Sequence, residues 1–298
     1  MLTIDFLINA ISLGSLYAMI ALGLVIVYGI LKLVNFAYGE LIMVAGYSLY
    51  LFGTLSFALP WFVMAILAVI MALATSYLTE LVAFRPVRAK SLTAMLITSF
   101  AVSTLLQNAA LLIISPRARA VPLPALFSES VSIGGIDVPW RNILTIVTAL
   151  VLLLALSLLL RYTVLGIALR AAADDFKMTR LLGVPANLVI SVAFLISGFF
   201  AGVAALFWTG RTASVIPTIG LAPLLVAFVA CVIGGMTNLV GAVVGGYVYG
   251  LLYTLLSLWL PQSLLDYREA FTFMVVILIL LFRPSGLIRG GATPERVG

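Results

Sequence analysis

The chain has 298 residues, 64% of them hydrophobic and 9% charged, with a formal net charge of +6. Water-soluble domains carry about 25% charged residues, so the composition excludes a soluble globular fold and describes an all-α polytopic membrane protein. The lack of His removes imidazole acid–base chemistry and His metal sites, the single Cys231 removes an intrachain disulfide or a CxxC site, and the absence of any Gly-Lys dipeptide removes a GxxxxGK[ST] phosphate loop.

A crossing helix needs about 20 apolar residues. The uncharged runs are Phe6–Leu31, Leu41–Thr79, Ser91–Pro116, Asn142–Leu160, Leu181–Gly210, Thr212–Leu265 and Ala270–Phe282. Leu41–Thr79 is long enough for two crossings turning near Ser56–Pro60, and Thr212–Leu265 for two turning at Gly234-Gly235-Met236-Thr237-Asn238. Nine crossings follow, at 5–30, 37–56, 60–83, 91–114, 142–160, 187–209, 218–235, 239–260 and 264–282. Eight follow if a piece of 35–56 or 212–238 is re-entrant, since Gly interrupts the first and Gly and Pro the second. The first run is longer than the apolar core of a signal segment and lacks a preceding basic residue, so it reads as a crossing.

The positive charge is positional, not a nucleic-acid footprint. With the N-terminus outside, 11 Lys and Arg face the cytoplasm (Lys32, Arg85, Arg88, Lys90, Arg161, Arg170, Lys177, Arg180, Arg283, Arg289, Arg296) and 5 face outward (Arg117, Arg119, Arg141, Arg211, Arg268). The positive-inside rule selects this orientation, which puts the C-terminus in the cytoplasm. Trp61, Trp140, Trp208 and Trp259 then share the outer interface, which supports the boundaries without choosing the side.

Chain organisation reads as one transmembrane domain over residues 1–298, with two notable loops. Residues 115–140, outside, hold Pro116, Pro122, Pro124 and Pro139 and predict an irregular extracytoplasmic loop with short structured pieces. Residues 161–186, inside, hold an amphipathic helix over 165–182. Leu165, Leu169, Ala172 and Phe176 make its apolar face, Arg170, Asp174 and Lys177 its polar face, and Gly183 and Pro185 stop it. Such a helix either lies on the membrane surface or docks into a partner's groove, and Ala168, Ala171, Ala172 and Ala173 suit close docking. Phe84-Arg85-Pro86 and Phe282-Arg283-Pro284 echo each other at the third and ninth crossings, as punctuation or as the trace of a duplication.

Glu40 is the charge placed furthest into apolar sequence, where a carboxylate costs up to about 2.5–3.5 kcal/mol. It lines a solute path, pairs with Lys32, or is held by a helix N-terminus. Asn35 either caps the same helix or lines the path. Gly198-x3-Gly202, Gly241-x3-Gly245 and Gly246-x3-Gly250 suit close helix packing, and a path that needs sliding helices would use the same spacing. Arg211 reads as a flanking residue or as a contact for an external protein.

Several stretches together resemble the permease family of ATP-binding-cassette (ABC) importers for branched-chain amino acids, the LivH type. They are Gly23-Leu24-Val25-Ile26-Val27-Tyr28-Gly29, Val34-Asn35-Phe36-Ala37-Tyr38-Gly39-Glu40-Leu41, Leu169-Arg170-Ala171 through Leu182-Gly183-Val184, Gly234 to Gly246, and Leu281-Phe282-Arg283-Pro284-Ser285-Gly286-Leu287. Tyr38 stands where the family often has His. The resemblance implies a multi-pass protein of a bacterial-type inner membrane, working with a second permease (a paralogue or itself), two ATP-binding subunits and an extracytoplasmic solute-binding protein. It implies import of branched-chain or related small amino acids by alternating access, with urea or amides as the nearest substrate variants and no bond chemistry, cofactor or metal in this chain. On this reading Asn35, Tyr38 and Glu40 lie near the path, and Leu169, Arg170, Ala171, Asp174, Leu182 and Gly183 belong to the ATPase-coupling element. A self-sufficient secondary transporter or channel is the competing class, and the scarcity of buried acids for ion coupling argues against it.

Overall fold

The computed structural model describes residues 2–54, 59–88, 90–133, 136–283 and 286–288. Helices stand at all nine expected places: α1 (Leu2–Leu31), α2 (Tyr38–Thr54), α3 (Trp61–Leu78), α4 (Leu92–Ile113), α5 (Trp140–Tyr162), α8 (Ala186–Thr212), α9 (Leu221–Gly234), α10 (Leu239–Trp259) and α11 (Arg268–Phe282), with α6 (Val164–Asp174) and α7 (Phe176–Leu181) between α5 and α8. The chain is an all-α polytopic membrane protein. Among the described residues, six helices are long and apolar enough to cross alone: α1, α3 with its continuation, α4, α5, α8 and α10. The other three have 17, 14 and 15 residues. At 1.5 Å per residue, 14 residues span only about 21 Å, so α9 crosses only together with its irregular lead-in.

Three boundaries differ from expectation. The third crossing does not end at residue 83: α3 continues through a π turn (Thr79–Phe84) into Arg85–Val87, so Pro86 sits inside a helix end instead of stopping it. The last crossing starts at Arg268, because Gln262–Tyr267 forms a 3-10 turn. The single helix over 165–182 is two. Asp175 is extended (φ −143°, ψ 99°) and its carboxylate accepts from Met178 N at 2.9 Å, capping α7 and ending α6. The expected turn at Ser56, the echo residue Pro284, and Arg289 and Arg296 lie outside the described residues.

Residues 115–140 carry short elements: β1 (Arg119–Ala120), a 3-10 turn (Ala125–Phe127), and a hairpin of β2 (Ser130–Ile133) and β3 (Ile136–Pro139). β1 pairs antiparallel with β4 (Ser214–Val215), just after α8. This end of the bundle also carries the four tryptophans, at the starts of α3 and α5 and the ends of α8 and α10. Arg211 Nη2 donates to Ser12 Oγ (2.6 Å) and Asn142 Oδ1 (3.2 Å) there, so it ties α8 to α1 and α5.

Glycines set the closest helix contacts. α1 and α10 run antiparallel, with Gly246 against Ala18 and Gly250 against Gly14. Gly198 meets Ser76 and Ala72 of α3, and Gly202 meets Val69 and Ala72. Gly241 and Gly245 sit on Gly234 and Ala230 of α9. Without a hydrophobic drive between helices in lipid, such backbone approach supplies dispersion contact instead.

The packing repeats under one exchange of labels: α1 with α8, α2 with α9, α3 with α10, α4 with α11. α1 packs on α10 as α8 does on α3, α2 on α3 as α9 on α10, α1 on α9 as α8 on α2, and α2 on α4 as α9 on α11. The N-terminal part of α1 meets the C-terminal end of α8 through Ser12 and Arg211, so the two halves are inverted relative to each other. α1 and α8 also end alike, on Lys32 and Ala213, the two non-glycine residues with positive φ (53° and 52°) among the described residues. The Phe-Arg-Pro echo instead pairs α3 with α11, which this arrangement does not, so it marks helix ends and not the repeat.

Candidate functional site

The lead-in to α2 turns back from the end of α1 into the bundle. Asn35 Oδ1 accepts from Ala37 N (3.1 Å), and Asn35 O accepts from Tyr38 N (3.1 Å), which folds the turn that starts α2. Tyr38 is fully buried, with its hydroxyl against Gly23, eight residues before the end of α1. The Tyr38 hydroxyl therefore reaches about 12 Å below the end of α1, given a 1.5 Å rise. α9 starts beside it. A Cβ on Gly39 would strike the Gly220 carbonyl, and a Cβ on Gly220 would strike that of Gly39. Two interrupted crossings thus present their positive N-terminal ends to each other inside the bundle.

Glu40 sits at this meeting point and is 1% exposed. Its Oε1 accepts from Ser103 Oγ (2.9 Å) and Gln107 Nε2 (2.7 Å), in the middle of α4. Its Oε2 has no hydrogen-bond partner among the described residues. Lys32 does not pair with Glu40; its Nζ donates to Ala173 O of α6 (2.8 Å). On the same helix as Ser103 and Gln107, Thr104 and Asn108 are exposed. Exposed polar side chains in mid-helix are costly against lipid, so this side of α4 suits protein or water.

Gly39→Ala or Gly220→Ala adds a methyl where the opposing backbone has no room. Overpacking of this kind costs about 1–3 kcal/mol. Either variant is expected to melt at a lower temperature in detergent than Gly183→Ala, since Gly183 has open space around it and carries only its φ of +86°.

The α6–α7 element lies at the other end of the bundle from the tryptophans. Leu169 and Ala172 are buried against the bundle (5% and 2% exposed), whereas Arg170, Ala171, Asp174, Leu182 and Gly183 are exposed. Thr163 caps α6, accepting from Gly166 N (3.0 Å). The outer face of the element also shows Ile167, Met178 and Leu181, at 54%, 60% and 74% exposure. Of the six residues expected to belong to the coupling element, Leu169 is buried and the other five are exposed.

A carboxylate invisible to the sequence reading lies nearby. Glu80, on the π turn, is fully buried. Arg85 grips it with Nε to Oε1 (3.2 Å) and Nη2 to Oε2 (3.0 Å), Arg88 Nη1 approaches Oε1 (3.5 Å), and Ser191 Oγ donates to Oε2 (2.9 Å). Arg88 also donates to Asn187 of α8. The π turn widens the helix so that Glu80, Arg85 and Arg88 converge. The spacing E-x4-R-x2-R at a crossing's end was the available signal. Arg85→Ala leaves the buried carboxylate with only Arg88 and the Ser191 hydroxyl and is expected to lower the melting temperature. Arg85→Lys should recover part of it.

Residues 6–280 match the family described as branched-chain amino acid transport system / permease component. The chain is 34% identical over 293 residues to the high-affinity branched-chain amino acid transport system permease protein BraD of Pseudomonas aeruginosa, covering 95% of this chain and 94% of the relative. It is 33% identical over 293 residues to LivH of Escherichia coli K12, of the same description, covering 94% and 93%. To the probable branched-chain amino acid transport permease protein LivH of Methanocaldococcus jannaschii it is 27% identical over 291 residues, covering 94% and 90%. A multi-pass bundle with interrupted crossings is an architecture found among membrane transporters. The chain belongs to the branched-chain amino acid permease family.

Proposed function

We propose that this chain is the membrane-spanning permease subunit of an ABC importer in a bacterial-type inner membrane, carrying branched-chain or related small amino acids into the cytoplasm. The observation that carries the reading is its likeness, from end to end, to permease components of branched-chain amino acid transport systems. The N-terminus and the 115–140 segment face outward, where a solute-binding protein delivers solute, and the C-terminus and the 161–186 segment face the cytoplasm. The excess of Lys and Arg at the α6–α7 end supports this orientation. A second permease, paralogue or copy, completes the translocating pair, and two ATP-binding subunits hydrolyse ATP. The α6–α7 element passes their closure to the bundle through Leu169, which seats it, while Arg170, Ala171, Asp174, Leu182 and Gly183 meet the ATPase. Glu40 lies on the path, with Asn35 and Tyr38 shaping the turn that places it.

The test is ATP-dependent uptake of labelled leucine by proteoliposomes holding the full complex and its binding protein, beside labelled urea. Leucine uptake that needs ATP supports the reading. Flux through this chain alone, without ATPase subunits, overturns it in favour of a secondary transporter or channel.

A further inference from the structure

A cavity of about 820 Å³ opens where α1 ends, α4 begins and α7 meets α8. Four cations line it: Arg85, Arg88 and Lys90 from the α3–α4 corner, and Arg180 from α7. No carboxylate is among its lining residues; the one nearby, Glu80, is buried behind Arg85 and Arg88 and consumed by them. The wall is therefore left strongly positive. Apart from Ser91 and Asn187, the rest of the lining is apolar, including Leu92, Met95 and Ile190. Leu92 opens α4 and is 55% exposed, and Ile30 and Leu31 close α1. The cavity thus sits at the level where membrane helices end and headgroups begin, with cations at its mouth and hydrocarbon-like surface beside them.

We propose that this cavity binds the headgroup phosphate of an anionic phospholipid, with the start of an acyl chain along Leu92 and Met95. Basic pockets between membrane helices are suited to such headgroups. A flat acidic protein surface would meet the cations but leave the concave apolar wall unfilled. Because Arg180 is on α7 while Lys90 is on the α3–α4 corner, one bound phosphate bridges the α6–α7 element to the bundle. Lipid binding here does not depend on what the chain carries; only its effect on coupling rests on the function proposed above.

The test is native mass spectrometry of the full chain, purified in detergent after exposure to equal amounts of phosphatidylglycerol and phosphatidylethanolamine. The variant is K90A/R180A, which spares the two arginines that hold Glu80; both replaced side chains are exposed. K90Q/R180Q serves if the first variant melts lower than the parent. The parent is expected to retain phosphatidylglycerol under delipidation that strips phosphatidylethanolamine, and the variant to retain it roughly tenfold less. Millimolar inorganic phosphate should not displace it, which separates a lipid from a free-anion site. Equal retention by parent and variant, or equal retention of the two lipids, overturns the proposal. So does a variant that keeps its lipid but loses co-purifying ATPase, since the cations would then serve a protein partner.

Discussion

Glu40→Gln should reduce ATP-driven leucine uptake by roughly tenfold to a hundredfold while leaving the membrane level and melting temperature of the protein nearly unchanged. The carboxamide keeps an oxygen that can accept from Ser103 and Gln107, so the local hydrogen bonds survive. What disappears is the charge. Hydrogen bonds to a charged group are worth about 1.5–3 kcal/mol, and each 1.4 kcal/mol is about a factor of ten in rate. If the carboxylate served only the fold, losing its charge-assisted hydrogen bonds would lower the melting temperature and leave uptake per folded molecule unchanged. Normal uptake by Glu40→Gln removes Glu40 from the path. A large fall in melting temperature makes it structural.

Arg170→Glu combined with Ala171→Glu should abolish solute-stimulated ATP hydrolysis and uptake in the reconstituted complex, at least roughly tenfold down, with the permease still folded. Both positions are exposed, and substitutions at such sites usually change stability by less than about 0.5 kcal/mol. New acids there oppose whatever ATPase surface accepts Arg170. Leu169→Ala is the contrasting variant: its side chain is buried, so truncation should cost about 2–5 kcal/mol and lower the melting temperature. Full stimulated ATPase activity in the double acidic variant overturns the assignment of this face.

The bundle was legible in the sequence because apolar run length is set by membrane thickness, and each of the nine expected crossings holds a helix. The glycines of 35–56 and the Gly and Pro residues of 212–238 marked each of these segments as a candidate for interruption. Hidden from view was their meeting at Gly39 and Gly220, which are 181 positions apart and share no local pattern. Ser103 and Gln107 escaped notice because small polar residues in a crossing helix usually satisfy themselves on their own backbone, as Thr98 does on Ala94. Glu80 drew no reading of its own, because a charge just past the run Leu41–Thr79 carries no sign of burial until a π turn folds two arginines over it. The break at Asp175 followed from a side chain capping its own backbone, a local contest that apolar periodicity does not register.

The reciprocal contact of Gly39 and Gly220 acts as a pin through two blades. Neither blade can slide past the other without separating, because each backbone occupies the room a side chain would need. A tilt imposed on α9 must therefore be mirrored by α2. The turn after α9 shares a small cavity with α6, lined by Thr237, Arg170 and Ala173, so the far end of α9 from the pin lies near α6, and Glu40 sits on the other blade.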